Sequence, residues 1–358
     1  IQPFSHCEEK RTALVVGASG IAGQAVCTRL LADGWRVVGL DRSQTSIAGV
    51  ETILADLLDP STIDLGSLDP EVVVYTAWMR RDTEAENIEV NSASLRNLLG
   101  ALEGRPSLRH VALMTGLKHY LGPFENYGTA VSSDTPFHED SPRIDTPNFY
   151  YAQEDVRFEA ARRMGFTWSV HRSHTAFGFA LGNAMNMVLT LGVYAEICRE
   201  TGQPFIFPGS EVQWNGITDA GLLADHILWA STSPEGADEA FNIANGEVFR
   251  WRWLWPRLAD FLGVQWEGYV EQARPLEPRM SEAAEVWRHI AAREGLVEPD
   301  VNRLASWWHT DGDLGRPIEC FADMSKSRLK GFDGYATAEA SFKKAIDRYR
   351  EAGILPQP

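Results

Sequence analysis

The fold is decided by the stretch Thr12-Ala-Leu-Val-Val-Gly-Ala-Ser-Gly-Ile-Ala-Gly23. Residues 12–16 form an apolar, β-branched run typical of a buried parallel strand, and an amphipathic run over residues 24–33 follows the glycines. Glycines in this position let the backbone turn sharply and approach a pyrophosphate, whose charge the helix N-terminal amides stabilise. The order of strand, glycine turn and helix therefore predicts a dinucleotide-binding unit rather than an ordinary glycine turn. We expect the cofactor to contact these residues of the turn: Gly17, Ser19, Gly20, Ile21 and Gly23.

The same alternation of strands and helices continues along the chain. Further strands are predicted at residues 36–40, 51–54, 72–75, 109–114 and 167–172, with helices over 86–102 and from about 152 to 164. This pattern predicts an α/β fold with a Rossmann-type doubly wound parallel sheet.

A change of pattern near residue 180 predicts two domains. Residues 1–180 are expected to form the dinucleotide-binding domain, and residues 181–358 a smaller, mostly helical, substrate-binding lobe. Short strands between about 205 and 245 are expected to return to the sheet, so that the two parts interleave. The stretch 249–308 is rich in tryptophan, which is expected mainly to stabilise this lobe.

The composition excludes several classes of partner. The 358 residues include 33 lysines and arginines against 49 aspartates and glutamates, which gives a formal net charge of -16. Such a surface repels nucleic acid and anionic membranes. The apolar runs are too short to span a bilayer, and neither the four cysteines nor the nine histidines have metal-site spacing. The sequence predicts a soluble cytoplasmic protein without a metal, and it leaves the oligomeric state open, including a homodimer.

The cofactor preference depends on the end of the second predicted strand. Asp41 and Arg42 follow the glycine turn by roughly twenty residues, where the adenosine ribose should lie. Asp41 can accept a hydrogen bond from a ribose 2′-hydroxyl, whereas Arg42 could pair with a 2′-phosphate. NADH and NADPH both remain open, and Asp41 favours NADH.

The ends of the next two strands supply further candidate contacts. Asp56, beside Leu57, could accept from the adenine amino group or, equally well, cap a turn. Thr76 and Ala77 are small enough to let the cofactor pass at the carboxyl edge of the sheet. Trp78 is expected to form a wall of a substrate cavity, with core packing as the alternative.

A double tyrosine lies where a sheet of this kind places its catalytic phenol, in the stretch Asn148-Phe-Tyr-Tyr-Ala-Gln-Glu-Asp155. In short-chain dehydrogenases the tyrosine is followed four residues later by a lysine, one helical turn on. Tyr151 is instead followed by Asp155, whose charge would raise the pKa of the phenol. Lys118, in the loop after the fifth strand, can supply the missing cation, although an ordinary loop lysine would be solvated.

With these motifs the sequence resembles the progesterone 5β-reductase/iridoid synthase-like (PRISE) family, an atypical branch of the extended short-chain dehydrogenases/reductases. The resemblance covers nearly the whole chain. It is carried by residues 17–23, 115–124, 148–155, 167–172 with 177–179, 242–249 and 324–328. The lysine loop and the double tyrosine are specific to this family.

The resemblance implies an NAD(P)H-dependent reduction of the C=C bond of an α,β-unsaturated carbonyl, with a small apolar enone or enal as substrate. It implies Tyr151 as the catalytic phenol, Lys118 as the catalytic lysine and Phe124 as a wall of the substrate pocket. The family usually has proline where this chain has Ser173, which puts Ser173 at the pocket. It also usually has two arginines after a small residue where this chain has Asp41-Arg42-Ser43, so NADPH is implied by the family and NADH by Asp41.

Two other functions are compatible with the same scaffold. A carbonyl reductase or an NAD-dependent epimerase or dehydratase would usually need the tyrosine-to-lysine spacing that this chain lacks. A non-enzymatic dinucleotide sensor would be expected to keep the glycine turn and lose the tyrosine. The physiological substrate and its stereochemistry do not follow from the sequence.

Overall fold

The computed structural model describes residues 10–123, 134–182, 185–209 and 214–358. Its strands, in chain order, are β1 (Thr12–Val16), β2 (Arg36–Asp41), β3 (Val50–Leu54), β4 (Val72–Tyr75), β5 (His110–Gly116), β6 (Thr167–Ser173), β7 (Ala176–Phe177), β8 (Phe205–Ile206), β9 (Trp214–Asn215), β10 (Thr218–Asp219), β11 (Glu239–Ile243), β12 (Phe249–Arg250) and β13 (Trp266–Glu267). Its helices are α1 (Ile21–Ala32), α2 (Glu84–Ala101), α3 (Lys118–Leu121), α4 (Phe149–Met164), α5 (Met187–Thr201), α6 (Ala220–Thr232), α7 (Trp251–Leu262), α8 (Leu276–Arg279), α9 (Ala283–Glu294), α10 (Trp307–Leu314), α11 (Ser325–Leu329) and α12 (Ala338–Glu351).

A seven-stranded parallel sheet in the order β11-β6-β5-β4-β1-β2-β3 is the centre of the described structure. The order reverses at β1, so the carboxyl ends of β1 and β4 border the crevice where doubly wound sheets bind ligands. The predicted Rossmann-type sheet is confirmed.

Helices cover both faces of the sheet, with α1 and α6 on one face and α2 and α4 on the other. Along β1, Ala13 and Val15 belong to the first of these cores, and Leu14 and Val16 to the second. Both faces are therefore buried, which explains why this strand is apolar throughout instead of alternating with polar residues.

A third core is formed mainly by α5, α7, α9 and α12. Trp255 and Trp287 are completely buried there, and their indole nitrogens donate to the carbonyls of Phe205 (3.1 Å) and Glu298 (3.0 Å). Trp253, by contrast, is 45% exposed. Some of the tryptophans thus belong to this core, whereas others are exposed to solvent. The division of the chain into two domains at residue 180 remains a prediction.

Helix α4 begins at Phe149, three residues before the predicted start. Asn148 is its N-cap, since the side-chain oxygen of Asn148 accepts from the backbone N–H of Tyr150 at 2.9 Å. Both tyrosines consequently lie in the first helical turn, where neighbouring side chains point about 100° apart. The two tyrosine side chains therefore point to different sides of the helix.

No helix among the described residues is both long and apolar enough to cross a bilayer. Within the same residues, no three histidine, cysteine, aspartate or glutamate side chains are grouped as metal ligands. Cys27, Cys198 and Cys320 are buried free thiols, and Cys7 lies outside the described ranges.

Candidate active site

The glycine turn after β1 forms a cradle in which two glycines pack closely against neighbouring backbone. Gly17 has a φ of 82°, and a Cβ there would lie 2.9 Å from the backbone nitrogen of Ala77. A Cβ on Gly23 would overlap the carbonyl oxygen of Gly17 and lie 2.8 Å from the Cα of Ala18. Both positions require glycine, one for its backbone conformation and both for close packing.

The N-terminus of α1 faces this cradle and has no side-chain cap, because its N-cap residue is Gly20. Its first turn also contains no acidic residue. Uncapped amides at a helix N-terminus suit a pyrophosphate, so the turn fits a dinucleotide.

The carboxylate of Asp41 is fixed at the end of β2 by the glycine turn itself. Its Oδ2 atom accepts from the backbone N–H of Ser19 at 2.9 Å and from the Ser19 hydroxyl at 2.6 Å. Its Oδ1 atom accepts from the backbone N–H of Arg42 at 2.7 Å. The side chain of Asp56 accepts from the backbone N–H of Leu58 at 3.0 Å, which is the turn role that was considered for it, although it also borders the cleft.

One cleft of about 580 Å³ runs from the glycine turn across the carboxyl edge of the sheet to α10. Most of the predicted site residues line it, namely Gly17, Ser19, Gly20, Ile21, Asp41, Arg42, Asp56, Leu57, Thr76, Ala77, Trp78, Lys118 and Ser173. Gly23 supports the turn from behind and does not line the cleft, and Phe124 lies outside the described residues.

Lys118 is a buried lysine of the cleft wall and not a solvated loop residue. Its side chain lies two positions after β5, at the start of α3, and the residue is only 6% exposed. Its Nζ atom is 5.1 Å from the ring centroid of Trp78 and 4.7 Å from that of Phe149. These rings are stacked 5.6 Å apart. Such contacts stabilise an ammonium group that is partly removed from water.

Tyr150 is the tyrosine that lines the same cleft. A Cβ on Gly116 would lie 3.3 Å from the Tyr150 hydroxyl oxygen and 3.2 Å from the carbonyl oxygen of Ser173. The glycine at the end of β5 thus leaves space for the phenol. Burial raises the pKa of Tyr150, and the carboxylate of Glu84 acts in the same direction. The phenol therefore remains a protonated donor at neutral pH.

Tyr151 does not line the cleft. Its hydroxyl donates to the carbonyl oxygen of His119 and accepts from the backbone N–H of Ile144 at 3.1 Å. The Arg143 guanidinium covers its ring at 4.8 Å. This corrects the placement that the sequence suggested, because Tyr150, not Tyr151, lines the cleft together with Lys118, and adjacent side chains of a helix point about 100° apart.

The acidic residues that follow the tyrosines, Glu154 and Asp155, form ion pairs with Arg143. Asp155 was expected beneath the Tyr151 phenol, but its carboxylate pairs with Arg143 at 2.9 Å. Glu154, which is four residues after Tyr150, is buried and pairs with the same guanidinium at 2.9 Å. Burial alone would raise the pKa of Glu154, but His119, Arg172 and Arg143 together lower it to about 2.

Three asparagines support the cleft although the sequence reasoning gave them no site role. Asn148 caps α4, as described above. Asn87 is buried and accepts from the backbone N–H of Arg81 at 2.7 Å. Asn91 bonds both the N–H and the carbonyl of Met79 at 2.8 Å. The sequence signal that could have identified Asn87 and Asn91 is an amide on the apolar side of a predicted helix, because buried amides need specific partners.

The sheet, the glycine turn and the tyrosine and lysine at the carboxyl edge together define an extended short-chain dehydrogenase/reductase. The chain matches the PRISE-like Rossmann-fold domain over residues 37–356, and it belongs to that family. It is 39% identical to an (S)-8-oxocitronellyl enol synthase of Nepeta cataria, over 96% of this chain and 93% of the relative. It is 38% identical to a 3-oxo-Δ(4,5)-steroid 5β-reductase of Arabidopsis thaliana, with the same coverage.

The fold is also similar to that of solved structures with distant sequences. A UDP-glucose 4-epimerase of Thermotoga maritima superposes with a TM-score of 0.69 at 15% identity, covering 95% of this chain and 99% of the epimerase. The family predicted from the motifs is confirmed, and the names of the relatives agree with the predicted class of oxidoreductase.

Proposed function

We propose that this protein reduces the C=C bond of an α,β-unsaturated carbonyl with a reduced nicotinamide dinucleotide, using Tyr150 and Lys118 as its catalytic residues. The observation that carries this proposal is their common position in one cleft beside Ser173, at the carboxyl ends of β5 and β6. The steroid 5β-reductase among the relatives is named for this kind of reaction on a 3-oxo-Δ(4,5)-steroid.

The cleft fits the dinucleotide along its whole length. The cradle of Gly17 and Gly20 with the α1 amides would hold the pyrophosphate, Asp41 would contact the adenosine ribose, and Thr76 and Ala77 would border the path towards Lys118. When bound, the reduced nicotinamide supplies a hydride to the β-carbon of the substrate.

Tyr150 stabilises the charge that develops on the substrate. As the β-carbon is reduced, negative charge accumulates on the carbonyl oxygen, and a phenol placed to donate a hydrogen bond stabilises this oxygen more in the transition state than in the ground state. Because burial and Glu84 raise the pKa of Tyr150, the phenol donates without losing its proton.

Lys118 contributes a fixed positive charge to the same region. Its ammonium lies over the faces of Trp78 and Phe149, away from bulk water, where a charge acts over a longer range than in solvent. Its positive charge favours negative charge that is shared between the phenol oxygen and the forming enolate, so the hydrogen bond from the protonated Tyr150 becomes stronger as the enolate forms. The α-carbon can then take its proton from water, so the mechanism needs no second acid from the protein.

The remaining wall suits a small substrate with an apolar body. Trp78, Met79, Leu181 and Met185 line the cleft beyond the catalytic pair. These side chains give hydrophobic contact on both sides of an enone or enal and limit the access of water to the enolate.

We further propose NADH as the preferred cofactor. Asp41 borders the cleft and is held in place by Ser19, and a carboxylate there would accept from a ribose 2′-hydroxyl and repel a 2′-phosphate.

The proposed function is tested by mixing the protein with each reduced nicotinamide dinucleotide and a panel of small enones and enals. Oxidation of the nicotinamide is followed by absorbance, and the product is analysed for which double bond was reduced. We expect saturated ketones and aldehydes. An allylic alcohol would instead identify a carbonyl reductase. In a parallel assay with sugar nucleotides and the oxidised dinucleotide, an epimerised product, together with no reduction of the enones and enals, would identify an epimerase.

A further inference from the structure

The cleft ends at a cluster of polar side chains that the proposed reaction does not use. We call this cluster the polar wall; it consists of His174, Thr175, His309, Asp313 and Arg316, all of which line the cleft. His174 and Thr175 follow β6, whereas the other three lie in α10 and just after it. His174 is 4% exposed and His309 8% exposed.

Asp313 and Arg316 form a fixed ion pair within the polar wall. The guanidinium NH2 group of Arg316 donates to Oδ1 of Asp313 at 2.5 Å, and its NH1 group donates to Sγ of Cys320 at 3.2 Å. The hydroxyl of Thr175 donates to Oδ2 of Asp313 at 3.1 Å. Both carboxylate oxygens of Asp313 thus already accept a hydrogen bond from a residue other than the two histidines.

The two imidazoles are incompletely hydrogen-bonded among the described residues. Neither ring nitrogen of His174 makes a hydrogen bond of normal geometry there, although the backbone of Gly216 lies beside the ring and opposes the lowering of its pKa. The Nδ1 atom of His309 likewise has no partner, and its Nε2 atom is 3.8 Å from Oδ2 of Asp313, beyond hydrogen-bond distance. Buried polar groups are nearly always hydrogen-bonded, so these three imidazole nitrogens without a hydrogen bond, at one end of a ligand cleft, indicate a polar group of the ligand.

The charges around the polar wall are predominantly positive. Arg80, Arg81 and Arg316 line this end of the cleft against the single carboxylate of Asp313, although the whole chain carries a charge of -16. Burial and then the charge of Arg316 lower the pKa of His174 to about 3. Burial also lowers the pKa of His309, with Arg316 and Arg80 adding to this effect and Asp313 opposing it. The guanidinium of Arg316 thus acts on both imidazoles, and the arginines that line this end of the cleft are complementary to an anion.

We propose that the substrate is an unsaturated carbonyl compound that also carries a carboxylate, and that the polar wall binds this carboxylate through N–H donation from His174 and His309. This inference rests on the proposed function, since it assigns the reacting end of the same molecule to Tyr150 and Lys118. The apolar side chains of the cleft then contact the hydrocarbon part between the two polar ends.

The test compares enals of matched chain length that end in a methyl, a hydroxyl or a carboxylate group. In the wild type we expect kcat/KM for the carboxylate to exceed that for the methyl compound by about tenfold or more, the effect of one charge-assisted hydrogen bond. His174→Leu should remove most of this preference through a higher KM for the carboxylate, with kcat changed less. His174→Gln, which keeps a donor, should restore part of it.

His289→Leu is the matched control, because this histidine is exposed on α9 outside the cleft. It should leave the preference for the carboxylate unchanged. If His174→Leu does not fold, His309→Leu decides the same question, since it removes the other proposed donor.

Binding of the corresponding saturated carboxylate and saturated alcohol, measured by calorimetry on the wild type with oxidised dinucleotide present, separates this inference from the proposed function. Preferential binding of the carboxylate, weakened by His174→Leu, would support the polar wall even if no enal were reduced. Equal use and equal binding of the three termini by the wild type, or a carboxylate preference untouched by both histidine substitutions, would overturn it.

Discussion

The side-chain amide of Asn148 donates a hydrogen bond to the backbone carbonyl of Lys118 at 2.6 Å. The oxygen of the same side chain accepts from the backbone N–H of Tyr150. One residue therefore fixes the start of the helix that carries the phenol and the turn that carries the ammonium. In short-chain dehydrogenases with a lysine four residues after the tyrosine, a single helix provides this relationship. Here two separate segments provide it, and Asn148 joins them.

The two adjacent tyrosines should respond differently to removal of their hydroxyls. Tyr150→Phe removes a donor that acts mainly in the transition state, so kcat should fall on the order of a hundredfold or more while dinucleotide affinity changes little. Tyr151→Phe should keep most of the activity and lower the free energy of unfolding by about 1–3 kcal/mol, because the His119 carbonyl and the Ile144 N–H lose their partner.

Steady-state kinetics and urea unfolding of both variants distinguish these effects. A crippled Tyr151→Phe enzyme beside a fully active Tyr150→Phe enzyme would show that Tyr151 is the catalytic phenol, as the resemblance suggested.

Lys118→Met should lower kcat far more than it weakens dinucleotide binding. The methionine preserves much of the contact with Trp78 and Phe149 but removes the charge near the developing enolate. We expect a loss on the order of a hundredfold in kcat. Lys344→Met is the control, because the side chain of Lys344 is 73% exposed. Equal kinetics for the two variants would remove Lys118 from the mechanism.

The sequence predicted the parts of the site that depend on local pattern. Short sequence motifs are enough to identify the glycine turn, the ends of β2 and β4 and the lysine loop. The structure brings these segments together at one cleft. The orientation of the double tyrosine could not be obtained in this way, because it depends on the residue at which α4 begins. The side chain of Asn148 caps that start, and successive side chains of a helix point about 100° apart, so two adjacent tyrosines face different sides.

The polar wall was not predicted because its members are distant in sequence. His174 and His309 come from different segments, and each alone would be interpreted as a core histidine. Only the three-dimensional structure shows that both line the same cleft and that each has a ring nitrogen without a hydrogen bond among the described residues.

Gly23→Ala should abolish dinucleotide binding. Even a methyl group at this position would overlap the carbonyl oxygen of Gly17, so α1 must move away from the turn and its amides can no longer reach the pyrophosphate. Gly100→Ala is the control, since a Cβ on Gly100 has no atom within 4 Å and alanine favours the helix. Calorimetric titration with the dinucleotide measures the affinity, and circular dichroism checks that each variant is folded. Wild-type affinity in a folded Gly23→Ala protein would contradict the assignment of the turn.

A chain of buried imidazoles should make the protein less stable in mild acid. His110 and His171 both bond the hydroxyl of Ser169, at 2.8 Å each, and Nδ1 of His171 is 2.8 Å from Nδ1 of His226. Burial lowers the pKa of His110 and of His226 to about 3, and that of His171 well below its usual range. In the unfolded chain the same groups take up protons near pH 6.5.

The unfolded state therefore binds more protons than the folded state between about pH 6.5 and 3, so the stabilising contribution is complete above this window and is lost as the pH falls through it. Each such site removes up to about 1.4 kcal/mol per pH unit within the window. Urea unfolding at about pH 7 and about pH 5.5 measures the slope. His110→Gln should reduce it and the exposed His289→Gln should not; an unchanged slope in His110→Gln would show that His110 does not contribute.

The cofactor preference should depend on Asp41, where the residue chemistry and the usual family pattern differ. Its carboxylate is held at the end of β2 by Ser19 and the backbone of Arg42, so it cannot swing away without breaking three hydrogen bonds. A 2′-phosphate at hydrogen-bond distance would be repelled by a few kcal/mol at an effective dielectric constant of about 20. A 2′-hydroxyl would instead donate to the carboxylate, which contributes about 1.5–3 kcal/mol.

The wild type should therefore have a higher kcat/KM with NADH than with NADPH, and Asp41→Ala should reverse or abolish this preference. The substitution removes both the acceptor for the 2′-hydroxyl and the charge that opposes a 2′-phosphate, and it leaves the Arg42 guanidinium available to the phosphate. Because each of these effects exceeds 1.4 kcal/mol, the ratio of the two kcat/KM values should change by about tenfold or more. Asp333→Ala, at an exposed aspartate that does not line the cleft, should leave the ratio unchanged. A wild type that already prefers NADPH, and whose preference survives Asp41→Ala, would show that Asp41 never faces the ribose.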